Sequence, residues 1–262
     1  MLEVKNVKVY DLAESIVASG YAMGLNIGDF SGRVVTLNKH ITKETLPGFI
    51  QFYNKEHKLG KKFDEICDSI GLNEENKNDL RIVLKELKRM SRLVQASKNS
   101  DNVKCHHNAL TGIRVSFDLI YPNYISPDMQ RYHWFDIVTS SSKMHRITKM
   151  NFDECCNKYV TQETKDNMKK YIDEYNSLFD GPGAPDDEYV YYKAFMKVLS
   201  NCPQGVELFM RISTNYMQLQ TMYFQRKNHR LKEDWGAFCE FVEKLPLFKL
   251  LITGKMTIED ID

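Results

Sequence analysis

The residues best suited to chemistry in this chain lie in one segment, positions 131–146. Within sixteen positions the segment holds two arginines, two histidines, one lysine and three consecutive serines. Guanidinium groups bind phosphate bidentately, and short hydroxyl side chains donate hydrogen bonds beside them. The candidate phosphate-binding residues here are Arg131, Ser141, Ser142, Lys143 and Arg146. A phosphorylated small molecule is therefore the first ligand that this segment predicts.

Two other polar clusters lie outside that segment. In positions 104–108, His106 and His107 are adjacent, and neighbouring side chains on an extended chain point in different directions, so the two form a poor chelating pair. In positions 215–230, amide side chains crowd a helix and its end, and amides are suited to directed hydrogen bonds. A polar loop and a solvated helix face are the plain structural explanations. No metal site is expected from either cluster.

Several common catalytic signatures are absent from the sequence. It contains no phosphate-binding Gly-x-x-x-x-Gly-Lys-Ser loop, no Gly-x-Gly-x-x-Gly motif, no His-Glu-x-x-His and no Gly-x-Ser-x-Gly. Asp118 and Asp136 are single acids among bases, so no carboxylate pair suggests general acid–base hydrolysis. Any chemistry is therefore expected to depend on a cofactor, with the protein supplying binding and charge placement.

Composition limits the class of protein and its partners. The 262 residues carry 36 Lys plus Arg and 35 Asp plus Glu, so a net charge of +1 provides no general field for a nucleic-acid backbone. The six cysteines form no Cys-x-x-Cys pair and are expected to be reduced and mostly buried. The first ten residues do not have the pattern of a signal peptide, and no apolar run approaches the length that spans a bilayer. We therefore expect a cytoplasmic protein without a membrane partner.

Hydrophobic periodicity predicts the elements that position these residues. Strands are expected at 4–10, 34–37, 113–121 and 206–214, and helices at 12–19, 46–58, 61–70, 74–95, 164–179, 188–199, 216–226 and 232–242. Asp11 is the expected N-cap of the first helix. The alternation of types predicts an α/β or α+β fold in one domain, residues 1–262, with a mixed sheet flanked by helices.

The spacing of the clusters resembles that of the flavin-dependent thymidylate synthases. In that family, a strand ending in an apolar-Pro step leads to the signature Arg-His-Arg-x-x-Ser-x-Asn-Glu-x-Ser-x-Arg-Tyr. The first Arg of the signature lies nine residues after the Pro, as Arg131 does after Pro122. A functional His lies eleven residues before the Phe of the strand, as His106 does before Phe117.

The C-terminal part resembles the same family. There an Asn begins a helix whose last turn carries a substrate-phosphate Arg eleven residues later, and Asn215 and Arg226 keep that interval. The resemblance spans residues 4–240 loosely and leaves 25–95 as an unmatched segment, expected to be a helical insertion. The whole chain is also similar to uncharacterised phage-encoded proteins that share the Ser-Lys-Met-His-Arg run at 142–146, which implies a virus-encoded protein in the host cytoplasm.

The chain departs from the family signature at several positions. Tyr132 and His133 replace its second and third residues, and Ser142 and Met144 stand where the family usually has Glu and Ser. The second His of the early motif is Gly112. These losses fall mostly on flavin and catalytic positions, whereas the groups that hold the nucleotide phosphate are mostly retained.

The resemblance implies a specific function. It implies reductive methylation of dUMP, or of a related pyrimidine monophosphate, with reduced FAD as cofactor and with NADPH and methylenetetrahydrofolate as co-substrates. It adds Arg226 to the phosphate-binding set and assigns His106, His133 and Asn215 to the flavin. It assigns no catalytic residue among those retained here. Family sites form between the subunits of a homotetramer, so the same assembly is expected.

Two alternative functions stay open at the sequence level. One is a non-catalytic protein on the same scaffold that binds and sequesters nucleotides, which fits the loss of catalytic positions. The other is a nucleic-acid partner that uses a local basic patch with neighbouring aromatic side chains. That patch would comprise Arg131, His133, Lys143, Arg146, Arg226 and Arg230. The balanced net charge makes nucleic acid the less favoured partner.

Overall fold

The computed structural model describes residues 2–41, 65, 67–68, 71–96, 106–179 and 187–253. The chain divides into two compact units. The first, here the sheet unit, comprises residues 1–7, 116–213 and 230–238. The second, here the helix unit, comprises residues 8–115, 214–229 and 239–262. The helices expected at 46–58 and 61–70 lie largely outside the described residues.

The described elements alternate between strands and helices, which confirms the expected mixed class of fold. In chain order they are β1 (Glu3–Tyr10), α1 (Leu12–Ala18), α2 (Phe30–His40), α3 (Glu74–Ala96), α4 (Ala109–Gly112), β2 (Arg114–Pro122), α5 (Ser126–Met129), β3 (Asp136–Ser140), α6 (Lys143–Arg146), α7 (Phe152–Cys155), α8 (Gln162–Ser177), α9 (Glu188–Asn201), β4 (Glu207–Asn215), α10 (Tyr216–Arg226), α11 (Lys232–Glu243) and α12 (Phe248–Thr253).

The four strands form one antiparallel sheet in the order β1-β2-β4-β3. Residues on one face of β2 and β4 are buried in strict alternation, including Phe117, Leu119, Met210 and Ile212. The residues between them are partly or fully exposed, as expected of an antiparallel sheet with one solvated face. The expected mixed sheet is therefore wrong, because every neighbouring pair of strands is antiparallel.

Strand β3 is an edge strand with an irregularity in its middle. Ile137 pairs with Ile212 and Thr139 with Arg211, so Val138 has no partner of its own in the register. A bulge of this kind bends a strand and changes where the following residues point. All five residues of β3 are exposed, so burial of its side chains does not hold this strand in place.

A second core in the sheet unit lies around α8 and α9. Met168 and Ile172 of α8 and Val198 of α9 are buried together with Ile147 and Phe152. Thr161 caps α8, its hydroxyl accepting the Thr164 backbone N–H at 3.3 Å. The short segment that carries Ile147 and Phe152 directly follows α6, so this core also fixes the end of the serine- and arginine-rich segment.

The helix unit is built around the long amphipathic helix α3. Val83, Leu87, Met90 and Val94 lie at helical spacing along α3 and are fully buried. Near its C-terminal end, Ser91 Oγ donates to the Leu250 carbonyl oxygen at 3.3 Å, which ties α3 to α12.

Most predicted elements are found within a few residues of their expected bounds, but two expectations need correction. The strand expected at 34–37 is wrong: these residues lie inside α2, whose Leu37 is fully buried. The β-branched pair Val34-Val35 favours a strand locally, and helix packing overrides that preference. Asp11 occupies the N-cap position of α1, but its side chain makes no capping hydrogen bond.

Candidate functional site

The segment between β3 and α6 is held by an exchange of hydrogen bonds with β4. The Ser141 backbone N–H donates to the Phe209 carbonyl oxygen at 2.8 Å. The Phe209 N–H in turn donates to Ser141 Oγ at 3.0 Å. Because Ser141 Oγ accepts here, its own O–H remains able to donate to another group.

Ser142 begins the next element. Its side chain is the N-cap of α6 and accepts the His145 backbone N–H at 3.3 Å. An N-capping hydroxyl also keeps its own O–H as a donor. Helix α6 is a single turn, and it carries Lys143 at its start and Arg146 at its end.

Three predicted residues line one cavity in the sheet unit. Ser141, Ser142 and Arg146 lie around a space of about 460 Å³. The remaining lining residues are Glu3, Ile120, Lys149, Met150, Asn151, Glu154, Cys155, Glu207, Leu208 and Phe209. We call this space the serine–arginine cavity. Its size falls within the range of small-molecule sites.

The charges around the serine–arginine cavity are of both signs. Arg146 and Lys149 supply the positive charge, and Glu3, Glu154 and Glu207 supply the negative charge. Such a lining suits a ligand that has both an anion and hydrogen-bond donors, because carboxylates accept from hydroxyl or ring N–H groups. It does not suit a bare phosphate ion, which the carboxylates would repel.

The cavity also contains a thiol. Cys155 is one of the cysteines expected to be mostly buried, but it is half-buried and lies on the cavity wall. A hydrogen bond with the adjacent Cys156 thiol lowers the pKa of Cys155, against the effect of burial, and the Arg146 charge lowers it further. Cys239, by contrast, is buried as expected, and burial raises its pKa to about 11.

The other predicted residues of the segment lie elsewhere. Arg131 is largely exposed, at 77% of its side chain, and pairs with Asp128 at 3.6 Å. Lys143 is half-buried, and its positive charge partly offsets the burial that raises the pKa of Cys202. His133 is exposed, with its ring 5.2 Å from that of Trp134. None of these three residues lines the serine–arginine cavity.

Asn215, a predicted flavin contact, caps a helix in the structure. It is the N-cap of α10, where its Oδ1 accepts the Gln218 backbone N–H at 2.9 Å. Only 3% of its surface is exposed. The next residue, Tyr216, donates its backbone N–H to the Ile113 carbonyl oxygen at 3.0 Å. Asn215 therefore fixes the start of α10 within the helix unit.

The remaining predicted residues also belong to the helix unit. Arg226 is the last residue of α10, where a cation interacts favourably with the helix dipole. His106 begins a short 3-10 turn, His106–Asn108, and its side chain lies outside the described residues. The predicted set is thus divided between the two units of the chain.

Gly112, which stands where the resembled family has a second His, lies in close contact with α1. A Cβ placed there would lie 3.3 Å from Ser15 Cβ and closer still to Ser15 Oγ. A side chain at this position requires Ser15 to move. At this position the chain therefore packs α4 closely against Ser15 of α1.

Several lining residues of the cavity were not predicted from the sequence. Glu3 and Glu207 come from strands more than two hundred positions apart, and only the pairing of the sheet brings them together. Asn151 caps α7 and donates to Glu154 Oε1 at 2.8 Å. Lys149 could have been found, because it follows Arg146 by three positions in a basic run.

Comparison with models of known protein families finds no match for this chain, and comparison with curated proteins finds none either. Among the described residues, no helix is long and apolar enough to cross a membrane. Within the same residues, no group of three histidine, cysteine or acidic side chains is arranged to hold a metal ion.

Proposed function

We propose that the serine–arginine cavity binds a pyrimidine nucleoside monophosphate, as in the flavin-dependent thymidylate synthases that the sequence resembles. The observation that carries this proposal is the convergence of Ser141, Ser142 and Arg146 on one cavity of nucleotide size. Ser141 and Ser142 each retain an O–H donor after satisfying the backbone, and Arg146 supplies a charge-assisted donor.

The acidic lining supports a nucleotide over a simpler anion. A pyrimidine nucleotide offers ribose hydroxyls and a ring N–H in addition to its phosphate. Glu3, Glu154 and Glu207 can accept from those donors while Arg146 and Lys149 neutralise the phosphate. We therefore expect nucleoside monophosphates to bind more tightly than inorganic phosphate.

The flavin fits this chain less well than the nucleotide does. Asn215 is almost fully buried, and its amide oxygen is occupied as a helix cap. His133 is exposed, and its ring lies beside that of Trp134. This contact alone does not indicate a cofactor site. The proposal of FAD-dependent methylation of dUMP, with NADPH and methylenetetrahydrofolate, is supported by the sequence resemblance alone.

The alternative is a non-catalytic nucleotide-binding protein on the same scaffold. The capping role of Asn215 favours it, because that role accounts for the residue without a cofactor. A homotetramer, as in the family, is the assembly in which the divided phosphate and flavin sets would meet across subunits.

Formation of dTMP separates the two functions. The purified chain is incubated with FAD, NADPH, methylenetetrahydrofolate and dUMP, and dTMP is measured by mass spectrometry. The enzymatic proposal predicts dTMP that depends on FAD and is lost in Arg146→Gln. Binding of dUMP without dTMP would establish the alternative, and absence of dUMP binding would contradict both.

A further inference from the structure

A second, larger cavity lies within the helix unit. It occupies about 960 Å³ between α3 and the segment from the end of α1 to the first turns of α2. Its charged lining is strongly positive: Arg33, Arg81, Lys85, Lys88, Arg89 and Arg92, with Asp29 as the one carboxylate on its surface among the described residues. We call it the basic cleft. Even with buried Glu86 counted, these groups leave an excess of four positive charges in a chain of net charge +1.

The base of the basic cleft is fixed by a buried carboxylate. Glu86 is fully buried and pairs with Arg33 at 2.5 Å and with Arg89. Arg89 also donates to the carbonyl oxygens of Ile16 and Val17, at 3.2 and 3.0 Å. Both guanidinium groups are therefore held in place before any ligand arrives, which reduces the ordering cost of binding.

Gly20 leaves room for the guanidinium of Arg89. The guanidinium of Arg89 lies directly over Gly20, where an added Cβ would be 2.5 Å from Arg89 Cζ. Only a residue without a side chain allows that approach. The contact places Arg89 against the end of α1, at the wall of the basic cleft.

A row of like charges on α3 also lines the basic cleft. Arg81, Lys85, Lys88 and Arg92 follow one another at intervals of four, three and four residues, which places them on one helix face. Like charges at this spacing destabilise a helix. Lys85 and Arg92 are exposed and line the cleft, so a bound anion would relieve that repulsion.

The basic cleft also has apolar surface. Met23, Leu25, Leu84 and Leu93 line it beside the backbone of Gly20 and Gly24. A bare anion would make no favourable contact with this apolar surface. A ligand with a ring and a chain of phosphates would contact both the apolar residues and the basic residues.

We propose that the basic cleft binds a nucleoside polyphosphate. The phosphate chain lies against Arg33, Lys85, Arg89 and Arg92, and the base lies on the apolar side. The site is separate from the serine–arginine cavity, and the proposal does not depend on the function proposed for that cavity. Its volume exceeds that of the serine–arginine cavity, in keeping with a larger ligand.

Calorimetric titration of the full chain with ATP, inorganic tripolyphosphate and adenosine tests the proposal. ATP is expected to bind most tightly, tripolyphosphate more weakly, and adenosine not at all at about 1 mM. The double reversal Lys85→Glu/Arg92→Glu is expected to weaken ATP binding by about tenfold or more, because two charge-assisted contacts are lost. Lys169→Glu/Lys170→Glu makes the same change of charge on α8 and is expected to leave ATP affinity unchanged. The neutral pair Lys85→Gln/Arg92→Gln, with an unaltered circular dichroism spectrum, excludes misfolding as the cause.

Three results would overturn the proposal. The first is absence of ATP binding, or an ATP affinity that both double reversals change equally. The second is displacement of ATP by saturating dUMP, which would place both ligands in one site. The third is duplex RNA or DNA that binds more tightly than ATP through Lys85 and Arg92, because the cleft would then be a nucleic-acid surface.

Discussion

Ser141 exchanges two hydrogen bonds with Phe209, donating its backbone N–H to the Phe209 carbonyl oxygen at 2.8 Å and accepting the Phe209 N–H on Oγ at 3.0 Å. The side chain thus takes the place of a backbone carbonyl just beyond the end of β3. This arrangement holds Ser141 at the cavity wall and leaves its O–H as the donor for a ligand.

Replacement of Ser141 by alanine is expected to weaken nucleotide binding and to destabilise the edge of the sheet. The stability loss should be about 1 kcal/mol, the net value of one hydrogen bond. Ser140→Ala is the matched control, because Ser140 is exposed and does not line the cavity. Calorimetry with dUMP and thermal unfolding measure the two effects. Equal dUMP affinities for the two variants would contradict the assignment of Ser141.

The role of Asn215 can be tested by separating capping from ligand contact. Asn215→Ala should cost about 1 kcal/mol of stability, whereas Asn215→Ser should retain the cap and most of the stability. Thr161→Ala removes a different N-cap, that of α8, and gives a stability reference. FAD affinity is then measured for all three variants. If Asn215 only caps α10, FAD affinity in Asn215→Ser equals that of the wild type; a selective loss would mean that its amide contacts the flavin.

A side chain at Gly112 is expected to destabilise the fold. Gly112→Ala should destabilise the chain by about 1–3 kcal/mol, since the new methyl group meets Ser15. The helical Gly236 has open space around its Cβ position, so Gly236→Ala should be neutral or stabilising by up to about 1 kcal/mol. Chemical denaturation of both variants provides the comparison. A Gly112→Ala protein as stable as the wild type would show that the contact with Ser15 is relieved at no cost.

The polar face of the sheet predicts a dependence of stability on pH. Hydrogen bonds from Asn6 and Arg211 hold the pKa of Asp118 below its usual value. The folded state therefore binds fewer protons than the unfolded state in this range, and stability is lost as pH falls from about 4 through the lower folded pKa. Melting temperatures should fall over this interval, and less steeply in Asp118→Asn. Identical profiles would mean that other carboxylates govern the acid response.

The elements that were predicted best from the sequence are those in which apolar residues recur at a regular helical or strand spacing. Helix α10 has the predicted bounds, 216–226, because the Asn215 cap and the buried face of the helix both mark it. Strand β3 was not predicted because all its residues are exposed, so no alternation marks it. In α2, the β-branched Val34 and Val35 suggested a strand, and the buried Leu37 shows that packing decided otherwise.

Only those residues of the candidate site that are close together in the sequence were predictable. Ser141, Ser142 and Arg146 are close in sequence, so their types and spacing were sufficient to predict an anion site. The acidic side of the cavity was not predictable, because Glu3 and Glu207 meet only through the pairing order of the sheet. The basic cleft was not predicted either. Its cations belong to α2 and α3, which lie in the segment 25–95 that was interpreted only as a helical insertion.

The central claim is that a nucleoside monophosphate binds in the serine–arginine cavity through Arg146. The most direct test is calorimetric titration of dUMP into the wild type, Arg146→Gln and Arg131→Gln. Loss of a charge-assisted hydrogen bond in Arg146→Gln should weaken dUMP binding by about tenfold to a hundredfold. Arg131→Gln should bind dUMP as the wild type does, because Arg131 lies outside the cavity. Wild-type affinity in Arg146→Gln, or loss of binding only in Arg131→Gln, would contradict the account.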